Sequence, residues 1–173
     1  MKKTLRLLSL ILVMALFAFS LVACNVDEPK DNTPKTEQSS VIEVGNQNSG
    51  KVVKIVIGGT NEAVYSVDFS NIEITEGVYS VIKHLGTQGK LTYKADDTGY
   101  GAFLTEVGEL KQDAQTGTYI YLYTSVEADA DVSEWASTKE WNGNTLTSAG
   151  VGFTDMTVEN GAIIYIGTVS YGA

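Results

Sequence analysis

The chain has 173 residues, a formal charge of -9, one cysteine and one histidine. Lys2, Lys3 and Arg6 precede Cys24 and no acid does, so the chain from Cys24 onward carries -12, a surface that repels phosphate backbones and argues against nucleic acid or anionic lipid as a partner. A single cysteine excludes an intramolecular disulfide, and His84 without a second Cys or His excludes the usual transition-metal ligand sets.

Residues 1–23 read as a secretory signal: a basic start, an apolar run from Leu7 to Val22 and small residues before Cys24. The ending Leu21-Val22-Ala23-Cys24 resembles the bacterial lipobox, with Val22 a less usual choice at its position. That resemblance implies a diacylglycerol thioether on Cys24, a new N-terminus there, and a lipid-anchored protein facing outward on the cell membrane. An uncleaved anchor is the alternative, since the apolar run approaches the ~20 residues that span a bilayer.

Residues 24–50 are rich in Asp, Asn, Thr, Ser, Lys and Gln and carry both prolines, Pro29 and Pro34. They bury too little apolar surface to offset ordering and are predicted to be a flexible linker, with a frayed strand at Val41, Ile42 and Val44 as the one hint of structure. About 26 such residues reach ~30 Å on root-mean-square average.

Residues 51–173 suit one domain. Lys51 to Ile57 is β-branched and apolar, and Gly58-Gly59-Thr60-Asn61 turns it into an alternating strand over Ala63, Tyr65, Val67 and Phe69, giving a hairpin. Ser80 before Val81, Ile82 and Leu85 predicts one short helix from Ser80 to Gln88, with His84 on its flank as a solvated or packing residue.

Leu91 to Lys94 and Ala102 to Val107 are predicted strands around Gly99-Tyr100-Gly101. Glycines tolerate φ > 0 and allow close approach, so they either present the Tyr100 ring to a ligand or merely turn the chain with that ring capping the core edge. Thr118 to Val126 is a strand with Tyr119, Tyr121 and Tyr123 on one face, either a stacking platform for a flat or sugar-like ligand or a set of cross-strand packing rings.

Glu127 to Asn144 reads as a solvated loop or short helix. Its Asp129-Ala-Asp131 spacing lacks the Gly and terminal Glu of an EF-hand, while Trp135 and Trp141 mark a contact surface if exposed and cover a sheet end if buried. Thr145 and Leu146 begin a short strand. Ser148 to Phe153 repeats the pattern of an aromatic beside glycines, and after the Glu159-Asn160-Gly161 turn, Ala162 to Ile166 is apolar on both faces, as a central strand should be.

A hairpin, one helix and then strands ending in a doubly apolar one predict an α+β domain, a β-grasp-like mixed sheet with the helix packed across it. In their order, Glu76-Gly77, Ser80-Val81-Ile82 with Leu85, Tyr93, Gly99-Tyr100-Gly101-Ala102-Phe103, Gly108-Glu109-Leu110 and the Gly152 to Ile166 segment resemble the transcobalamin C-terminal-like domain of unknown function. The resemblance covers most of Val53 to Ile166 and implies that fold, with a cobalamin-like corrin as a candidate ligand. Two departures stand against the family pattern: Tyr119 replaces a customary tryptophan, and the Glu127 to Asn144 stretch replaces a tight Asn turn. There is also no room for the helical barrel that completes the site in transcobalamin.

No Ser-His-Asp set, cysteine nucleophile or well-spaced carboxylate pair appears, so an enzyme is not expected and no catalytic or metal-binding residue is assigned. The leading expectation is a tethered module that binds a small molecule through Gly99, Tyr100, Gly101 and Phe153, joined by Tyr119, Tyr121 and Tyr123. The second is a domain that adheres to another envelope protein or a polysaccharide through Trp135, Trp141 or a sheet edge.

Overall fold

The computed structural model describes residues 40–99 and 101–171. The expected signal peptide, Cys24 and residues 25–39 of the linker lie outside the described residues, as does Tyr100. The elements in order are β1 (Val41–Val44), β2 (Val52–Ile57), β3 (Ala63–Asp68), α1 (Gly77–Thr87), β4 (Tyr93–Asp97), β5 (Ala102–Val107), β6 (Leu110–Lys111), β7 (Thr118–Thr124), β8 (Thr138–Trp141), β9 (Asn144–Ser148) and β10 (Ile163–Ser170), with a 3-10 turn at Glu127–Asp129. A seven-stranded sheet runs β1-β3-β2-β10-β7-β9-β8, and a small sheet runs β4-β5-β6. β10 is parallel to β2 and antiparallel to β7, and β1 is parallel to β3. The domain is α+β, a β-grasp-like mixed sheet crossed by one short helix.

The doubly apolar strand is central because each of its faces has a core to join. Ile164 and Ile166 pack with Val53, Ile55, Ile57 and the helix stripe Val78, Val81, Ile82 and Leu85, and the small sheet adds Leu104, Val107 and Leu110 to the same cluster. Ile163 and Tyr165 point the other way, into a second cluster with Val56, Val64 and Leu146. Among the described residues all these core side chains lie between Val44 and Ile166, so the compact unit of residues 38–173 carries a hydrophobic core of its own.

Three local expectations differ from what is found. The helix begins three residues before Ser80, at Gly77, whose φ of +47° suits glycine and whose missing side chain leaves room for the Thr154 and Met156 carbonyls. Ser80 therefore sits inside the first turn, where its hydroxyl accepts the Glu76 N–H at 3.0 Å.

The fold also reaches back into the expected linker. Val41 to Val44 pair with Val64 to Val67, and Val44 is buried. The turn behind β1 is held by Asp68, whose carboxylate accepts the Asn46 N–H at 3.1 Å, and by Gln47, which accepts the Ser66 hydroxyl at 2.6 Å.

Finally, the stretch from Glu127 to Asn144 holds more than a loop. Its second half is the β8–β9 hairpin, turned by Asn142 and Gly143 at φ of 47° and 77°. Asn-Gly adopts such a turn without the steric cost other residues meet there.

Candidate functional site

β7 determines the site. Its register against β10 pairs Tyr123 with Tyr165, Tyr121 with Gly167 and Tyr119 with Val169. Period-two alternation then puts Ile120 and Leu122 on the helix side, packed against the main core, and Tyr123 against the reverse cluster.

β5 lies alongside β7 without pairing with it. β6, which leads from one to the other, is only two residues long. Beyond it the strands part and leave an apolar cleft of about 250 Å³. Ala102, Phe103 and Leu104 of β5 face Ile120 and Leu122 of β7, Gly152 and Phe153 close one side, and Thr98 and Gly101 complete the lining. Leu104 and Phe153 are buried, Phe153 at 4% exposure, whereas Phe103 is 49% exposed. That is unusual for a large apolar ring next to a core residue, Leu104.

None of these nine residues is ionisable. The Thr98 hydroxyl, which could otherwise serve a ligand, donates to the Gly101 carbonyl at 3.0 Å and closes the 98–101 turn. Charge near the small sheet is held elsewhere. Lys94 at 2.8 Å and Lys111 at 3.1 Å converge on Glu106 and lower its pKa, Lys94 contributing more. Glu109 accepts the Asn61 N–H at 2.8 Å, which lowers its pKa and ties the β5–β6 turn to the β2–β3 turn. The cleft can therefore select by shape and apolarity and cannot neutralise a charged group.

The sequence-predicted residues divide between two surfaces. Gly101 and Phe153, far apart in the chain, line one cleft. Gly99 lies beside it in the same turn, with its N–H on the Asp97 carboxylate at 3.1 Å. Tyr100 is outside the described residues. Phe153 is a buried wall rather than a presented ring, packed at a tilt against Tyr79 with centroids 5.7 Å apart.

Tyr119, Tyr121 and Tyr123 do not join the cleft, because the β10 register turns them to the other face of the sheet. There Tyr121 meets Tyr123 at 5.3 Å, Tyr123 meets Tyr165 at 6.2 Å and Tyr119 meets Tyr171 at 6.2 Å, with rings steeply inclined to one another. Inclined rings pack well against each other and make a poor flat platform.

Sequence reasoning missed Phe103, Ile120 and Leu122 as site residues. Ile120 and Leu122 are the unremarked half of the same alternation that singled out the tyrosines. The two tryptophans also part company. The Trp141 indole donates to Glu62 at 2.9 Å and covers the reverse cluster, whereas Trp135 is 80% exposed and nearby Val132 96%.

Among the described residues no three His, Cys, Asp or Glu side chains gather to hold a metal ion, and no helix is long and apolar enough to cross a membrane. No known family profile matches the chain, and no curated protein matches it. Solved structures do match, among them a candidate metal-binding protein from Ruminococcus gnavus. It is 14% identical, with a TM-score of 0.44 over 69% of this chain and 97% of that one.

Proposed function

We propose that the protein is an exported, lipid-anchored binding module without enzymatic activity, which takes an apolar part of its ligand into the cleft between β5 and β7. The half-exposed ring of Phe103 carries this reading: it stands open to solvent beside Ile120 and Leu122, where a neighbouring apolar group would cover all three. A corrin such as cobalamin, suggested by the family resemblance, is far larger than about 250 Å³ and would lie across the mouth with one edge inside. Spectra of residues 38–173 labelled at Ile and Leu methyls, recorded against a fragment library and against cobalamin, test the reading. Saturable shifts at Ile120, Leu122 and Leu104 support it. Shifts confined to other surfaces remove the cleft from consideration, and loss of cobalamin binding alone removes only that ligand.

A second reading is adhesion to an envelope protein or polysaccharide through the loop that carries Val132 and Trp135. What favours it is that these exposed side chains sit on a well-tied loop. Asp131 accepts the Ser133 N–H at 2.8 Å, and the Ser137 N–H is held by the Ser148 hydroxyl at 3.0 Å. A Trp135→Ala variant that binds intact cell envelopes as well as the parent does would sink this reading.

A further inference from the structure

The β7 strand has one edge that is only partly used. In an antiparallel pair, successive residues alternate between bonding the partner strand and pointing away from it. Thr118 exchanges both backbone bonds with Asp113 at 2.9 Å, and Leu122 gives its carbonyl to the Ala149 N–H at 2.9 Å. Both residues therefore point away from β10. Ile120, midway between them, must do the same.

β9 pairs with β7 only at Tyr123 and Thr124, so it stops short of Ile120. Among the described residues, the Ile120 N–H, the Ile120 carbonyl and the Leu122 N–H have no backbone or side-chain partner on that side. They form a donor, acceptor, donor row in line with where β9 would continue. The same two residues send their side chains into the apolar cleft.

We propose that this edge and the cleft beside it together accept an extended polypeptide segment, which adds to β7 as a strand in the line of β9. The inference rests on the cleft being a ligand site and specifies what the ligand is. The three backbone groups call for an acceptor, a donor and an acceptor at strand spacing, which an extended peptide backbone supplies and a small apolar molecule does not. Side chains on alternate positions of that segment would enter the cleft. Since about 150 Å³ holds one benzene, the 250 Å³ here takes one large or two small apolar side chains. With no ionisable residue in its lining and a net charge of -12 from Cys24 onward, the site disfavours acidic segments.

The test uses residues 38–173 and two probes, the neutral peptide acetyl-Thr-Leu-Thr-Leu-Thr-amide and indole, which fills an apolar cleft but cannot pair with the edge. In the free protein the Ile120 N–H should exchange with solvent faster than the Tyr121 N–H, which faces β10. The peptide should slow exchange at Ile120 and Leu122 by at least about tenfold, and N-methylation at alternate residues should weaken its binding by at least about tenfold. Indole should shift the Ile120 and Leu122 methyls and leave amide exchange unchanged.

If the N-methylated peptide binds as well as its parent, or Ile120 exchange does not respond, strand addition is overturned while the cleft survives as a small-molecule site. If neither probe moves the methyls, the cleft reading falls and the inference falls with it. Phe103→Ala, at a half-exposed position, should weaken both probes and preserve the fold.

Discussion

The Thr154 hydroxyl occupies the place where a side chain on Gly101 would begin, so residue 101 can only be glycine while Thr154 stays where it is. The contact joins the 98–101 turn to the segment after Phe153 and thereby fixes two walls of the cleft. Gly101 also has a φ of +103°, a conformation that costs any other residue about 1–3 kcal/mol. Gly101→Ala should therefore lower stability by more than that strain alone, since the clash with Thr154 adds to it, as read by urea denaturation. Adding Thr154→Ala should recover only part of the loss, because it removes the clash and leaves the backbone strain.

Asp68 ties the turn behind β1 to β3. The amide and hydroxyl of Ser70 and the hydroxyl of Ser49 hold its pKa down to about 2. A carboxylate with a lowered folded-state pKa stabilises the protein above its unfolded value of ~4 and loses that contribution as pH falls through the folded value. Stability should thus decline between pH 4 and pH 2 through this residue, and Asp68→Asn should flatten the decline in that window. Carbon-detected titration of the Asp68 carboxylate gives the direct check.

A second carboxylate does similar work deeper in the structure. Asp129, buried in the 3-10 turn, accepts the Thr157 N–H at 2.7 Å and the Thr157 hydroxyl at 2.9 Å. Asp129→Ala leaves the Thr157 N–H without its partner, at an expected cost of about 2 kcal/mol in chemical denaturation. Asp129→Asn, which keeps an acceptor oxygen, should cost less.

The two tryptophans should report their different settings by fluorescence. In a Trp141→Phe variant the remaining emission comes from Trp135 and should be quenched by acrylamide nearly as well as a free indole. In Trp135→Ala the remaining emission should be shielded, with stability unchanged to within about 0.5 kcal/mol.

Anchoring can be checked separately from binding. Cys24→Ser should move the protein from the membrane fraction to the soluble one and abolish incorporation of labelled fatty acid. Persistence of both signals in the variant would discard the proposed lipid anchor.

Most of the framework was legible in the chain. Ile163 to Ile166 could satisfy two apolar faces only in the middle of a sheet, and the alternation of Thr118 to Thr124 correctly separated tyrosines from aliphatics. What it left open was which face would meet the helix. That is set by the pairing of Ile164 with Thr124, a contact between distant segments that no local pattern records. For the same reason β1 looked like linker, because four residues at a sheet edge draw their order from β3 rather than from their own propensity. The β8–β9 hairpin was different. Asn142-Gly143 is a strong local turn signal that the expectation of a solvated loop or short helix from Glu127 to Asn144 did not use. In the candidate site, glycine spacing found Gly101 and Phe153, whereas Phe103 escaped because its setting depends on how β5 lies beside β7, two distant strands that do not pair and leave no local pattern.

The parallel pairing of β1 with β3 has a mechanical consequence. A pull from the N-terminal side that lifts β1 away from β3 reaches the body through Val41 and then Ile42, and would peel the edge strand one pair at a time. Asp68 and Gln47 lie just past the last pair, between Val44 and Val67. Tension would therefore free Val41 to Val44, withdrawing only Val44 from the hydrophobic interior, and then meet a stop before the groove on the far side of β10.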